Sequence, residues 1–205
     1  MAESFINQTE GSGKKSHTWD RTIGANTIQD EFVLPGEYPY ASYVVLGAAV
    51  SIATANDHIL CLNAGASLTV RVRRIWIEQS GNATAASVSS LQILRTTTAA
   101  PTGGTAVTAA AYDTTDSAAG AAGRTLPTAK GTESTVLNQW AMVWRQAVSA
   151  TASQFDDYWE WVQKPGQKPI IIPAGTTNGI VIKSLSAIAG ATVNVGMEFV
   201  ETNYV

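Results

Sequence analysis

The stretch Ser67–Ser80, SLTVRVRRIWIEQS, decides how this chain folds. Leu68, Val70 and Val72 alternate with Thr69, Arg71 and Arg73, one side apolar and the other polar. Successive side chains of a β-strand point to opposite faces, so this period of two is that of a half-buried strand. At Arg73–Arg74 the parity slips, because the next apolar residues are Ile75 and Ile77. A slip of one residue turns a continuing strand inside out unless a bulge absorbs it. The stretch reads as one long strand with a bulge, or as two strands meeting at a corner.

The same kind of pattern recurs on both sides. Tyr43–Ile52 reads as a first strand and His58–Leu62 as a second, ended by Asn63-Ala64-Gly65. Val88–Thr96 follows the loop Ser80-Gly81-Asn82. In the C-terminal part, Ile170–Ile172 is a short apolar strand stopped by Pro173-Ala174-Gly175. Thr177-Asn178-Gly179 reads as a tight turn, because Asn-Gly adopts the positive φ of a type I′ hairpin readily. Ile180–Leu185 returns from it, and Val193, Val195, Met197 and Phe199 then alternate with Asn194, Gly196 and Glu198. Gln154–Val162 also reads as a strand, with Phe155, Asp157, Trp159 and Trp161 on one parity and Asp156, Tyr158 and Glu160 on the other. Val136–Val148 is the one segment expected to be helical. Val136, Trp140, Val143, Trp144 and Ala147 fall at helical spacing there, with a strand as the alternative. Roughly eight strands punctuated by Gly and Asn predict an all-β fold, a jelly-roll or related Greek-key β-sandwich.

Two segments depart from this pattern. Residues 1–40 are polar and broken by Gly and Pro, yet carry Phe5, Trp19, Ile28, Phe32, Tyr38 and Tyr40. A disordered tail lacks such anchors. The segment reads as an extended arm lying across a surface, its own or a neighbour's, with residues 41–205 forming the sandwich. A partly ordered leader touching its own domain is the alternative. Residues 96–135 are a low-complexity insert of small residues, expected to form surface loops with an edge strand over Thr105–Tyr112.

Charged residues make up only 14% of the 205, against about 25% in an ordinary soluble domain. Such a surface suits burial in an assembly. The net charge is −3 and no basic stripe exists, which argues against binding nucleic acid by phosphate neutralisation. No stretch reaches the roughly 18 apolar residues of a membrane span, so no membrane partner is expected. The N-terminal MAESFINQTEG has no basic region followed by an apolar core, so nothing in it marks export.

No catalytic or metal-ligating set emerges. His17 and His58 have no second His or Cys at metal spacing, and solvent-facing imidazoles are expected. Cys61 stands alone in HILCLNAG and reads as a buried, inert thiol. Asp156 and Asp157 are adjacent on a strand and point apart, so they do not converge on a calcium ion or a glycosidic bond. Asp113 and Asp116 are turn residues of a Thr-rich loop. Tyr158, Trp159 and Trp161 are the candidate aromatic surface for a glycan or partner if their face is outward, and core if it is inward. No enzyme activity and no cofactor are expected.

The order LPGEYPYASYVV, HILCLNAGASLTVRVRRIWI, LQILRTTTA–PTGGTA, KPIIIPAGTTNGIVIK and VNVGMEFVET resembles small virion structural proteins of tailed bacteriophages and prophages. The resemblance spans about Leu34 to Thr202 and is one of general pattern. It implies a jelly-roll-type sandwich on the particle surface, acting as a capsid decoration or cement protein, often trimeric. The partners it implies are the major capsid protein and further copies of the chain. The place it implies is the virion capsid surface, reached after synthesis in the host cytoplasm. A head-fibre or tail-tip module that binds a host receptor or glycan is the alternative function. In the first reading Phe5, Trp19, Ile28, Phe32, Tyr38 and Tyr40 make the subunit contacts.

Overall fold

The structure, a computed structural model, describes residues 3–7, 15–23, 26–31, 40–146 and 158–202. The chain divides into two compact units, Met1–Pro39 and Tyr40–Val205.

In the first unit, β1 (Glu3–Asn7), β2 (Lys15–Ile23) and β3 (Asn26–Glu31) form an antiparallel sheet in that order. The segment read as an extended arm therefore folds back on itself twice. Phe5 lies opposite His17, Trp19 lies opposite both Glu3 and Asp30, and Ile28 lies opposite Arg21. Phe32 and Tyr38 lie outside the described residues.

The second unit begins with β4 (Ser42–Ser51), β5 (His58–Asn63), β6 (Thr69–Gly81) and β7 (Ser87–Thr97). The short β8 (Thr105–Val107), β9 (Ala110–Ala111) and β10 (Ala122–Thr125) follow, then the long β11 (Thr132–Trp144). β12 (Tyr158–Val162), β13 (Ile170–Ile172), β14 (Gly179–Ser184) and β15 (Thr192–Thr202) complete it. One sheet has the order β12-β6-β15-β4-β9, with β13 also paired to β6; the other has the order β11-β7-β14-β5-β10-β8. Every ladder between these strands is antiparallel. The architecture is an all-β sandwich.

β6 shows why the parity slip at Arg73–Arg74 matters. Glu198 of β15 faces Arg74 and the next residue, Phe199, faces Val72, so the register with β15 steps over Arg73, the extra residue of a bulge. The strand is continuous and the bulge sits at the slip. Val70, Val72, Ile75 and Ile77 consequently all lie inward and fully buried. The same bulge divides the strand's other flank: β13 pairs with Val70–Val72, β12 with Arg74–Glu78, and the Gln163 N–H reaches the Arg73 carbonyl at 2.8 Å between them.

The core lies between the sheets. Val45, Val72, Ile75, Val195, Met197 and Phe199 come from one, and Leu60, Leu62, Leu91, Ile93, Ile182 and Trp144 from the other. Trp144 is fully buried, and its indole N–H is met by Ser89 Oγ at 2.7 Å.

Two expectations are corrected. Val136–Trp144 is not helical; it belongs to β11, and residues 147–148 lie outside the described residues. Met142 and Trp144 point inward while Val136 and Val143 are exposed, so the helical spacing of the apolar positions does not correspond to one buried face. The 96–135 insert is more than surface loop. β8 and β9 fall in the expected edge stretch and join different sheets, while β10 sits inside its sheet between β5 and β8. Small residues make this fit possible, since a Cβ at Gly123 would come within 2.9 Å of Val45 Cγ1. The buried Glu201 carboxylate accepts the backbone N–H groups of Gly120 and Ala121 at 2.9 and 2.6 Å, fixing the insert to β15. The Asn-Gly turn does not close a hairpin either. β13 and β14 belong to different sheets, and the positive φ falls on Gly175.

Candidate functional site

The outer face of the β6 sheet carries a charged and aromatic network. Alternation on β12 points Tyr158 and Glu160 outward, and Arg74 on β6 and Glu198 on β15 share that face. Arg74 binds Glu160 through Nε, Glu198 through Nη1 at 3.2 Å and the Tyr158 hydroxyl through Nη2 at 3.1 Å. The Tyr158 hydroxyl donates to Glu160 at 2.8 Å, and the Tyr112 hydroxyl donates to Glu198 at 2.7 Å. The Tyr158 hydroxyl and the Arg74 guanidinium hold the Glu160 carboxyl below the usual range. Burial and the Glu198 carboxylate push Tyr112 up to about 12. Arg74 also lies 4.9 Å from the ring centre of Trp76, and that ring covers Gly196, the residue directly opposite. Tyr112 and Tyr158 stay exposed at the two ends of this stripe.

The candidate aromatic surface thus divides. Tyr158 is outward, whereas Trp159 and Trp161 are half-buried against the core. Trp159 stacks on Trp140 of β11, with ring centres 3.6 Å apart and planes 9° from parallel. β11 and β12 are edge strands of different sheets, so this pair closes one side of the sandwich. Helical spacing had obscured the role of Trp140. Phe155, Asp156 and Asp157 lie outside the described residues.

The outer face of the other sheet holds the one arrangement with a catalytic order of groups among those described. Cys61 Sγ lies 3.9 Å from His58 Nδ1, and His58 Nε2 lies 2.9 Å from Glu133 Oε1. Thiol, imidazole and carboxylate in that sequence resemble a nucleophile, its base and an orienting group. The environment opposes the chemistry. Burial pushes the Cys61 thiol up to about 12, and Cys61 is only 2% exposed. A nucleophilic cysteine needs a lowered pKa and access. Glu133 also binds Lys183 Nζ at 2.8 Å. These groups form a polar cover over the apolar cluster of Cys61, Leu94 and Val181. His58, expected at the solvent, is fully buried, its imidazole held between Cys61 and the Glu133 carboxylate. Asp113 is a turn residue, its carboxylate accepting from the Thr115 N–H and hydroxyl at 2.9 and 2.8 Å.

Of the candidate contact residues, Tyr40 is 37% exposed at the start of the sandwich unit. Phe5, Trp19 and Ile28 stand on β1, β2 and β3 of the N-terminal sheet, one on each strand. Among the described residues no helix is long and apolar enough to cross a membrane. No family model, no curated protein and no solved structure matches this chain.

Proposed function

We propose that the protein is a non-enzymatic structural component of a phage particle, a decoration or cement protein that attaches to the shell through its N-terminal unit. The carrying observation is that Met1–Pro39 is a compact unit of its own, built as a three-stranded antiparallel sheet whose strands carry Phe5, Trp19 and Ile28. A unit below about 40 residues rarely stabilises itself without a disulfide, a metal or an oligomeric contact, and the chain's single cysteine lies elsewhere. So small a unit gains stability by being covered. On a shell, the cover is the major capsid protein or a neighbouring copy. Many copies on one lattice multiply a weak contact into firm attachment.

The strand order supports a jelly-roll reading of the sandwich. Taking the long strands in turn, β4, β15, β6 and β12/β13 make one sheet and β5, β14, β7 and β11 the other. Taken in chain order these strands pass from sheet to sheet at every step but β7 to β11, which pair within one sheet, as in two interlocked Greek keys. A receptor- or glycan-binding module is the second reading, favoured by the exposed tyrosines Tyr112 and Tyr158 beside Arg74 and its carboxylates.

Removing residues 1–39 tests the first reading. The shortened chain is expected to keep its β-rich circular dichroism and to lose binding to particles lacking the protein, while Tyr158→Ala binds as the parent does. Full binding by the shortened chain would reject attachment through this unit. Loss of binding in Tyr158→Ala alone would transfer the case to the outer tyrosine face.

A further inference from the structure

We infer that the cleft at one end of the sandwich, between the end of β7, β13 and the start of β14, binds a small carboxylic acid with an apolar body, its carboxylate held by Arg95. The cleft measures about 430 Å³ and is lined by Arg95, Thr97, Ile171, Ile172 and Pro173 among others. That size is ample for a small organic ligand. β7 runs along β14 without a register shift, so the row that carries Leu91 and Ile93 into the core reaches Arg95 next. The Arg95 side chain crosses to the other sheet, where Nη1 donates to the Ile171 carbonyl of β13 at 2.6 Å. A guanidinium carries five N–H donors. Among the described residues the Ile171 carbonyl is the one acceptor it meets, and no carboxylate reaches it. Arg74 is the contrast, held by both Glu160 and Glu198.

The surroundings select the ligand. A charge withdrawn from water between two sheets needs an opposite charge and hydrogen-bond partners. The facing sheet does place a carboxylate at this level, since Glu201 and Ile172 lie opposite Val70 on the two sides of β6. Glu201 is committed elsewhere, to the Gly120 and Ala121 N–H groups. Asn178 also borders the cleft, but its amide donates to the Ala174 and Pro173 carbonyls at 2.9 and 3.3 Å. Arg95 is the one charged side chain that lines the cleft among the described residues. Its planar fork matches a carboxylate through two parallel bonds. Beside it, half-buried Ile171, fully buried Ile172 and the Pro173 ring form an apolar wall. That wall suits a hydrocarbon group better than the further oxygens of a phosphate.

Amide NMR shifts of the full chain, titrated with isovalerate at neutral pH, test this. The acid is expected to saturate with a Kd of about 1 mM or tighter, moving the signals of Thr97, Ile171 and Gly179. Isovaleramide has the same shape without the charge and should bind at least about tenfold more weakly. Arg95→Lys keeps the charge but loses the fork and should weaken the acid about tenfold, while Arg95→Gln should abolish its binding. Lys164→Gln, outside this cleft, should bind as the parent does. Both Arg95 variants lose the bond to β13, so the comparison of acid with amide on the parent chain decides the matter should either fail to fold. Shifts that do not saturate, equal affinity for acid and amide, or full binding by Arg95→Gln would overturn the site. Inorganic phosphate binding as tightly as isovalerate would overturn the ligand class. The attachment reading fails separately, since none of these titrations involves a particle.

Discussion

β6 and β11 are both thirteen residues long, and the structure treats them differently. β6 is flanked on both sides, by β15 on one and by β12 and β13 on the other. β11 has β7 alone. Each strand contains an irregularity. In β6 the extra Arg73 is matched to the sequence, since the apolar parity changes with it and both halves keep their inward rows. In β11 the shifts fall in a stretch that is exposed from Thr132 to Leu137, where neither face is strongly committed to the core. A bulge in a central strand is fixed by two buried rows that must both face inward; a bulge at an edge is held by one ladder only.

Deleting one residue from each bulge separates the cases, and this is the largest effect expected. Removal of Arg73 forces either Val70 and Val72 or Ile75 and Ile77 to the outer face and carries a charged residue inward. Exposing a buried aliphatic side chain costs about 1.5–3 kcal/mol, and at least two are affected, so this variant should not fold at ordinary temperature. Removal of Leu137, the extra residue between Val136 and Asn138, leaves Met142 and Trp144 inward and should lower stability by about 1 kcal/mol or less. Urea melts of the two deletions provide the comparison. Equal losses would mean that the β6 bulge is no more tightly specified than the one at the edge.

The same contrast explains what could be read from the chain. Around Val70–Ile77 and Val193–Phe199 one face is apolar and the other polar, so period, register and even the bulge were legible. β11 was misread because Val136, Trp140, Val143 and Trp144 mimic a helical stripe. An edge strand bears apolar residues on both faces when one lies on the core and the other awaits a cover, and its alternation is then lost. β10 was missed for another reason. Its sequence, AGRT, has almost no apolar signal, and its place is set by how closely Gly123 lets backbones approach. The Trp140–Trp159 stack and the bonds of Arg74 to Glu160 and Glu198 join residues 19 or more positions apart on different strands. Their residue types were visible, but only topology brings them together. Nothing in the local sequence around Arg74 names Glu160 or Glu198.

A smaller effect is expected where the two faces of β15 differ. Met197 and Phe199 pack inward, while Gly196 leaves room on the outer side for the Trp76 ring. A Cβ at position 196 would collide with that ring. Gly196→Ala should therefore displace Trp76 and the Arg74 guanidinium resting beside it, at a cost of about 1–3 kcal/mol, the range for overpacking. Adding Trp76→Ala should recover part of that loss, because the clash then has no partner. A double-mutant cycle reads the coupling directly. Additive losses would show that Trp76 does not occupy the space above Gly196.

The smallest effect concerns the polar cover where the first part of β11 meets β5 and β14. Burial lowers the pKa of His58, and the Glu133 carboxylate only partly opposes that shift, with Lys130 and Lys183 adding to the lowering. The unfolded chain takes up the proton near the ordinary value of about 6.5, while the native state resists it. Below that pH the unfolded state therefore holds more protons, and stability falls as the solution is made more acid. Glu133 adds a second loss of the same sign at lower pH. Burial alone raises its pKa, but Lys183 and His58 outweigh burial and hold it below the ordinary value, so its stabilising contribution disappears only as pH drops through the carboxylate range. The midpoint of thermal unfolding should decline from pH 7 to pH 5 in the parent and decline less in His58→Gln, which cannot acquire the charge. A His58→Gln slope equal to the parent's, or a midpoint that rises on acidification, would show that the closed cover over β5 does not keep this imidazole neutral.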